Sequence, residues 1–256
     1  VAGLLEPRGG VIMLEGASKA NMGAKEVSKI LAAVMTGRID PELMTCRSVI
    51  ESGRYPYTGL FGKLSEEDRH AVDEAMSATD TGEIADCDFR SISDGQRQRV
   101  LLARAIAQDP RALILDEPTS YLDIRYKIDI LTKIRKLSTG RNIAVLMSLH
   151  EPGIAMKLSD TVVAVGDGKI LRIGTPDEVF TEDFIRKLFK LGDMDVGLLG
   201  NIWNADRRNL SDIPDGIRDA TRAKGTWSTC RPKAIQIGNT PTHNTVSRNR
   251  SRHIMI

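Results

Sequence analysis

Ala112-Leu113-Ile114-Leu115-Asp116-Glu117-Pro118-Thr119-Ser120 is the stretch that decides the fold. Four apolar residues in a row read as a strand buried on both faces, as in a parallel sheet. Two carboxylates follow at the carboxyl end of that strand, where open α/β sheets place their ligands. Neighbouring residues on a strand point to opposite sides, so the two acids cannot do the same job. One can hold Mg²⁺, which prefers oxygen ligands and keeps part of its water shell. The other can polarise an attacking water. A plain strand end followed by a turn would read the same way, so the stretch has to be weighed with its neighbours.

Upstream lies Ile92-Ser93-Asp94-Gly95-Gln96-Arg97-Gln98-Arg99, which leads into a helix expected over 97–108. Val100, Leu101, Ala103, Ala105 and Ile106 supply its buried side, and Asp109-Pro110 stops it. Ser and Gly at a helix start expose backbone N–H groups and the positive end of the dipole, a ready place for phosphate. Downstream, an apolar strand expected over 143–147 ends in Ser148-Leu149-His150-Glu151-Pro152.

The rest of the chain fits a sheet flanked by helices. Val11-Ile12-Met13-Leu14 reads as a short strand entered through Gly9-Gly10. Lys25 to Val34 has helical periodicity, and Leu31–Met35 also reads as a strand. Residues 40–90 are polar with helical stretches, and Ser65-Glu66-Glu67-Asp68 is a capping box for a helix running to about Ala78. Helical segments at 124–138 and 151–158 alternate with strands at 143–147 and 161–165, which argues for an α/β architecture. Gly166-Asp167-Gly168-Lys169 is a hairpin turn, and Thr175-Pro176-Asp177-Glu178 opens another short helix.

The 256 residues carry a formal net charge of +2, with 27% charged and 41% hydrophobic residues, so the whole chain has no polyelectrolyte character. Charge is uneven near the end. No acidic residue follows Asp219, while Arg222, Lys224, Arg231, Lys233, Arg248, Arg250 and Arg252 remain. Apolar residues thin out from about Asn204, and residues 201–256 are expected to be a poorly ordered basic tail, solvated rather than bound to specific nucleic acid. Cys46, Cys87 and Cys230 are scattered and in no metal-ligand spacing, as expected of reduced thiols. No apolar run approaches a membrane span, and no signal peptide is visible.

Taken together, Ser93-Asp94-Gly95-Gln96-Arg97-Gln98-Arg99, the following helix and Leu113-Ile114-Leu115-Asp116-Glu117-Pro118-Thr119-Ser120-Tyr121-Leu122-Asp123 resemble the signature motif, Walker B motif and D-loop of ABC ATPases. Ser148-Leu149-His150 resembles the switch-histidine loop of the same family. The resemblance covers roughly residues 1–190. It implies a P-loop NTPase-like ABC ATPase domain over 1–200, with a helical subdomain at about 40–108. It also implies the cofactors ATP and Mg²⁺. Asp116 should organise Mg²⁺, Glu117 should act as general base, and His150 should contact the γ-phosphate or the attacking water. Ser93, Gly95 and Gln96 should face the γ-phosphate of ATP bound to the opposite subunit, and Asp123 should communicate across that interface. The implied partners are a second ATPase subunit, transmembrane permease subunits and, indirectly, a substrate-binding protein. The implied location is peripheral, on the cytoplasmic face of the membrane.

The sequence departs from the family in three places. No Gly-x-x-x-x-Gly-Lys-Ser/Thr occurs; in Gly23-Ala24-Lys25-Glu26 no glycine stands five residues earlier, and Glu follows the Lys. Ala2-Gly3-Leu4-Leu5-Glu6-Pro7-Arg8-Gly9-Gly10 resembles the stretch that ends the family's phosphate-loop helix, so the chain is expected to lack the first strands and the phosphate loop and to be inactive alone. Asp94 stands where the signature usually has glycine, a variant similar to that of iron-complex importers. It can point away while Ser93 and Gly95 donate. Thr36 replaces the Q-loop glutamine and can still offer one oxygen to Mg²⁺ or water. Gly53-Arg54-Tyr55-Pro56-Tyr57-Thr58 and Ser120-Tyr121-Leu122-Asp123-Ile124 resemble segments of importer ATPases for iron-siderophore, haem and vitamin B12 complexes. A non-transport ABC protein and a regulatory pseudo-ATPase remain alternatives.

Overall fold

The computed structural model describes residue 3, residues 6–7, 9–35, 41–59, 62–120 and 122–188, and two strands at 236–238 and 253–255. In chain order the strands are β1 (Val11–Leu14), β2 (Ala17–Ser18), β3 (Leu31–Val34), β4 (Ala112–Asp116), β5 (Ala144–Ser148), β6 (Thr161–Gly166), β7 (Lys169–Gly174), β8 (Gln236–Gly238) and β9 (His253–Met255). The helices are α1 (Ala24–Ile30), α2 (Cys46–Glu51), α3 (Glu66–Thr79), α4 (Asp94–Ala107), α5 (Ile124–Gly140), α6 (Pro152–Leu158), α7 (Pro176–Val179) and α8 (Glu182–Leu188). They form two compact units, Val1–Ser148 with Pro232–Arg252, and Leu149–Arg231 with His253–Ile256.

The first unit is built on three parallel strands. β3 pairs with β4, Leu31 opposite Ala112 through Val34 opposite Leu115. β4 pairs with β5, Ala112 opposite Ala144 through Asp116 opposite Ser148. Leu113, Leu115, Val145 and Met147 are buried, and so are Leu102 and Ile106 of α4 and Ile130 and Ile134 of α5. Burial of this kind stabilises by about 25 cal/mol per Å² of apolar surface, so this layer is what fixes where β4 ends. A separate antiparallel ladder joins β2 to β1 and β1 to β8.

The strand expected over Leu31–Met35 is β3, and the helical periodicity of Lys25 to Val34 ends at Leu31, where the backbone turns extended (φ −124°, ψ 120°) so that Leu31–Val34 can join the sheet. α4 starts at Asp94 rather than Arg97, because Ser93 and Gln96 form a capping box around the helix start. The helix from Ser65 matches its expectation: α3 is opened by the Ser65–Asp68 capping box. α3 closes on Asp80 in the left-handed conformation.

Gly53-Arg54-Tyr55-Pro56-Tyr57-Thr58 is packed onto α4. A Cβ on Gly53 would lie 2.3 Å from the Arg104 carbonyl oxygen, so only glycine lets the two backbones approach. Arg54 is buried; it donates through Nε to Asp68 Oδ1 (2.8 Å) and through Nη1 to the Ala107 carbonyl (2.8 Å), and stacks 3.9 Å from the Tyr57 ring centroid. Tyr55 is 80% exposed.

In the second unit β6 and β7 form the expected hairpin, antiparallel, with a bulge between Ala164 and Val165. β9 pairs parallel to β6. Val162, Ala164, Val179 and Phe184 make its core. Among the described residues no helix is long and apolar enough to cross a membrane. Most of the stretch expected to be a basic tail lies outside the described residues; β8 and β9 lie within it.

Candidate functional site

β4 and β5 end together, which sets Asp116 beside Ser148. The Ser148 hydroxyl donates to Asp116 Oδ1 at 2.8 Å and accepts from the Glu117 amide at 2.9 Å. Glu117 leaves the strand with φ +46°, a left-handed conformation costly for a residue with a side chain. Its carboxylate Oε2 accepts from the Ser120 hydroxyl at 2.7 Å, and its carbonyl accepts from the Ser120 amide at 3.1 Å. Asp116 and Glu117 are half-buried, on a floor of buried Pro118 and Thr119. The arrangement presents two carboxylates in different settings, one tied to a hydroxyl across the sheet and one held over a tight turn. Asp116 and the Ser148 oxygen are hard donors suited to Mg²⁺. No group of three or more His, Cys, Asp or Glu that could hold a metal occurs among the described residues.

The start of α4 is built from Ser93, Gly95 and Gln96. Ser93 Oγ accepts from the Gln96 amide (3.3 Å), and the Ser93 amide donates to Gln96 Oε1 (2.9 Å). This capping box takes the amides of Ser93 and Gln96 and not those of Asp94 and Gly95. Asp94 is exposed, and Arg97 Nη1 lies 3.8 Å from its Oδ1. Gly95 is buried, and a Cβ there would lie 2.9–3.3 Å from three ring atoms of Tyr126. Tyr126 in turn donates its amide to Oδ1 of Asp123, which caps α5 (3.1 Å). Ser93, Gly95, Gln96 and Asp123 are thus brought together at the starts of α4 and α5, with Tyr126 between them.

His150 is exposed and sits at the start of the second unit, just before Glu151, the residue that precedes α6. Thr36 and Tyr121 lie outside the described residues. Two contributors had no role in the sequence reading. Ser148 could have been found from the fact that two apolar runs each end in a polar residue, if their register were known. For Tyr126 the sequence holds no signal, because its contact with Gly95 joins residues of two different helices.

The comparisons with known proteins bear on this geometry. The family described as ABC transporter matches residues 1–120. The petrobactin import ATP-binding protein of Bacillus anthracis is 35% identical over 191 residues, 75% of this chain and 70% of that protein. A cobalamin import ATP-binding protein of Halobacterium salinarum is 37% identical over 187 residues, 73% of this chain and 46% of that protein. The solved structure of cbiO1 from Clostridium perfringens, part of the ABC transporter complex cbiONQ, superposes with a TM-score of 0.60 at 26% identity, over 78% of this chain and 79% of that one. The chain spans 66–71% of the length of several further curated relatives. With paired carboxylates at the end of β4, a capped glycine turn opening α4 and relatives of this identity, the chain belongs to the family of ABC transporter ATP-binding proteins.

Proposed function

We propose that the chain is the ATP-hydrolysing part of an ABC importer subunit that powers uptake of iron-siderophore, haem or cobalamin-type complexes. The observation that carries the ATPase reading is the Asp116–Ser148–Glu117 knot at the carboxyl end of β4. Asp116 and Thr36 would hold Mg²⁺, which neutralises charge on the phosphate oxygens. Glu117 accepts a proton from the water that attacks phosphorus, while the Ser120 hydroxyl orients its carboxylate. His150 contacts the γ-phosphate or that water. Ser93, Gly95 and Gln96 meet the γ-phosphate held by a second ATPase subunit, and Asp123 works across that interface. The wider partners are permease subunits, with a substrate-binding protein acting through them, and the chain sits peripherally at the cytoplasmic face of the membrane. The relatives' cargoes, petrobactin and cobalamin, support the substrate class.

Turnover by the chain joined to a Gly-x-x-x-x-Gly-Lys-Ser/Thr segment tests the reading. Glu117→Gln is expected to abolish nearly all hydrolysis with ATP binding intact; unchanged turnover would remove Glu117 from its role. For the 256 residues by themselves, which hold no such phosphate loop, calorimetry with Mg-ATP is expected to give very weak binding, and micromolar affinity would contradict this.

A further inference from the structure

Two cysteines take no part in the chemistry above, and the backbone sets them one hydrogen bond apart. Thr45 and Asp88 form an antiparallel bridge. The Cys46 amide donates to the Cys87 carbonyl at 2.9 Å, and the Phe89 amide donates to the Met44 carbonyl at 3.0 Å. These bonds flank the Thr45–Asp88 pair and leave Cys46, the first residue of α2, and Cys87 joined backbone to backbone by one hydrogen bond. Residues linked by such a bond across an antiparallel pairing have Cα atoms about 5.5 Å apart. A disulfide spans Cα separations of about 4.4–6.8 Å. Both thiols are free; Cys46 is buried and Cys87 is exposed. Burial pushes the Cys46 thiol up to about 11, and the facing Cys87 adds to the rise.

We propose that Cys46 and Cys87 are a redox-modification site, closing to an intrachain disulfide when the protein meets a hydroperoxide. Cys87 is the accessible sulfur and reacts first. Its thiolate attacks the peroxide, the O–O bond breaks, and hydroxide leaves and is protonated to water; Cys87 becomes a sulfenic acid. Cys46 then loses its proton and its sulfur attacks Cys87 Sγ; the S–O bond breaks and a second water leaves. Two thiols and one hydrogen peroxide give one disulfide and two waters, with both electrons taken by the peroxide. The bond closes a loop that contains α2 and α3 and ends shortly before Ser93, so it joins the first turn of α2 to the segment that leads into the capped start of α4. The proposal stands on the Thr45–Asp88 bridge and not on the ATPase reading; failure of either leaves the other intact.

The test uses the full chain carrying Cys230→Ser, treated with a stoichiometric amount of hydrogen peroxide, alkylated and digested without reductant. The expected product is a cross-linked peptide pair containing Cys46 and Cys87 in a monomeric chain. Recovery of both cysteines alkylated, or of Cys87 joined to a second chain, overturns the proposal. In Cys46→Ser the same dose is expected to leave a sulfenic acid at Cys87 that dimedone captures, and no adduct there overturns the order of steps. Should Cys46→Ser fail to fold, Cys87→Ser serves instead. Its Cys46 is expected to survive the peroxide and to alkylate only in denaturant, and oxidation of Cys46 in that variant overturns the assignment of Cys87 as the reacting sulfur.

Discussion

Ser148 serves two partners with one hydroxyl, giving its proton to Asp116 and taking one from the Glu117 amide. Removing it takes an acceptor from the half-buried Glu117 amide and a donor from the Asp116 carboxylate. Unmet groups of this kind cost about 1–3 kcal/mol. Ser148→Ala is therefore expected to lower the unfolding free energy measured in urea by that amount, while Ser148→Thr, which keeps a hydroxyl, recovers part of the loss. Equal stability of Ser148→Ala and the parent would mean that water replaces the hydroxyl without penalty. At this scale the sequence is readable where chemistry is local. Asp116 and Glu117 announce themselves because an apolar run ends in two acids. Ser148 does not, because its function depends on β4 and β5 ending in register, a property of two strands about thirty residues apart. The left-handed backbone of Glu117 is equally silent, since nothing in Glu-Pro-Thr-Ser demands a positive φ.

α4 is held at two points where another part of the chain comes too close for a side chain. At its start Gly95 lies under the Tyr126 ring, and along its length the Arg104 carbonyl lies under Gly53. Alanine is the better helix former by about 1 kcal/mol, so an exposed Gly95→Ala would stabilise. Here the added methyl meets a ring at 2.9 Å, and overpacking costs about 1–3 kcal/mol. Gly95→Ala is expected to be neutral to destabilising by up to about 2 kcal/mol, the difference of those two effects. The double variant Gly95→Ala/Tyr126→Ala is expected to be more stable than the sum of the single changes, because the ring that opposes the methyl is gone. Strict additivity in a denaturant-unfolding cycle would dismiss the contact. Gly53→Ala is expected to cost more than Gly95→Ala, since its methyl meets backbone at 2.3 Å and a carbonyl cannot change rotamer. Element starts were legible at Ser65 and Thr175, each marked by a capping box, but the box of Ser93 and Gln96 was missed, and α4 starts before the expected Arg97. The boundary between α1 and β3 was half legible: Ile30-Leu31-Ala32-Ala33-Val34 suits a buried helix or a buried strand, both readings stood open, and pairing with β4 decides it.

Charge ties the helices of the first unit together, through pairs of which spacing along the chain points only to Asp129–Lys133, four residues apart on α5. Lys133 of α5 donates to Asp129 Oδ1 (2.6 Å) and to Asp80 Oδ2 (2.7 Å) at the end of α3, while Arg54 meets Asp68 in the interior. β8 and β9 are a further case, because three-residue strands owe their existence to distant partners. Burial works against the Asp68 carboxylate, but the Ser65 amide, Arg54 and the Ser65 hydroxyl outweigh it and hold its pKa below the usual carboxylate range. The Lys133 ammonium does the same for Asp80. Burial works against the charge of Lys133 too, and Asp129 and Asp80 more than offset it, so its pKa is raised. A carboxylate with a depressed folded pKa contributes stability that is complete above its unfolded value and is lost as pH falls below it. A raised lysine contributes stability that is complete below its unfolded value and is lost as pH rises through the folded one. Stability is therefore expected to be flat near neutrality and to fall once pH drops below about 4. Asp68→Asn isolates the buried pair. At neutral pH it leaves Arg54 charged, buried and without its partner, which costs about 3–5 kcal/mol. As pH falls through the lowered pKa of Asp68, the parent protonates this carboxylate as well, and the two proteins converge. Urea midpoints followed by circular dichroism from neutral to strongly acidic pH check this: curves that stay parallel would show that Asp68 keeps no special carboxylate, and curves that meet in acid assign the acid sensitivity to the Arg54–Asp68 pair.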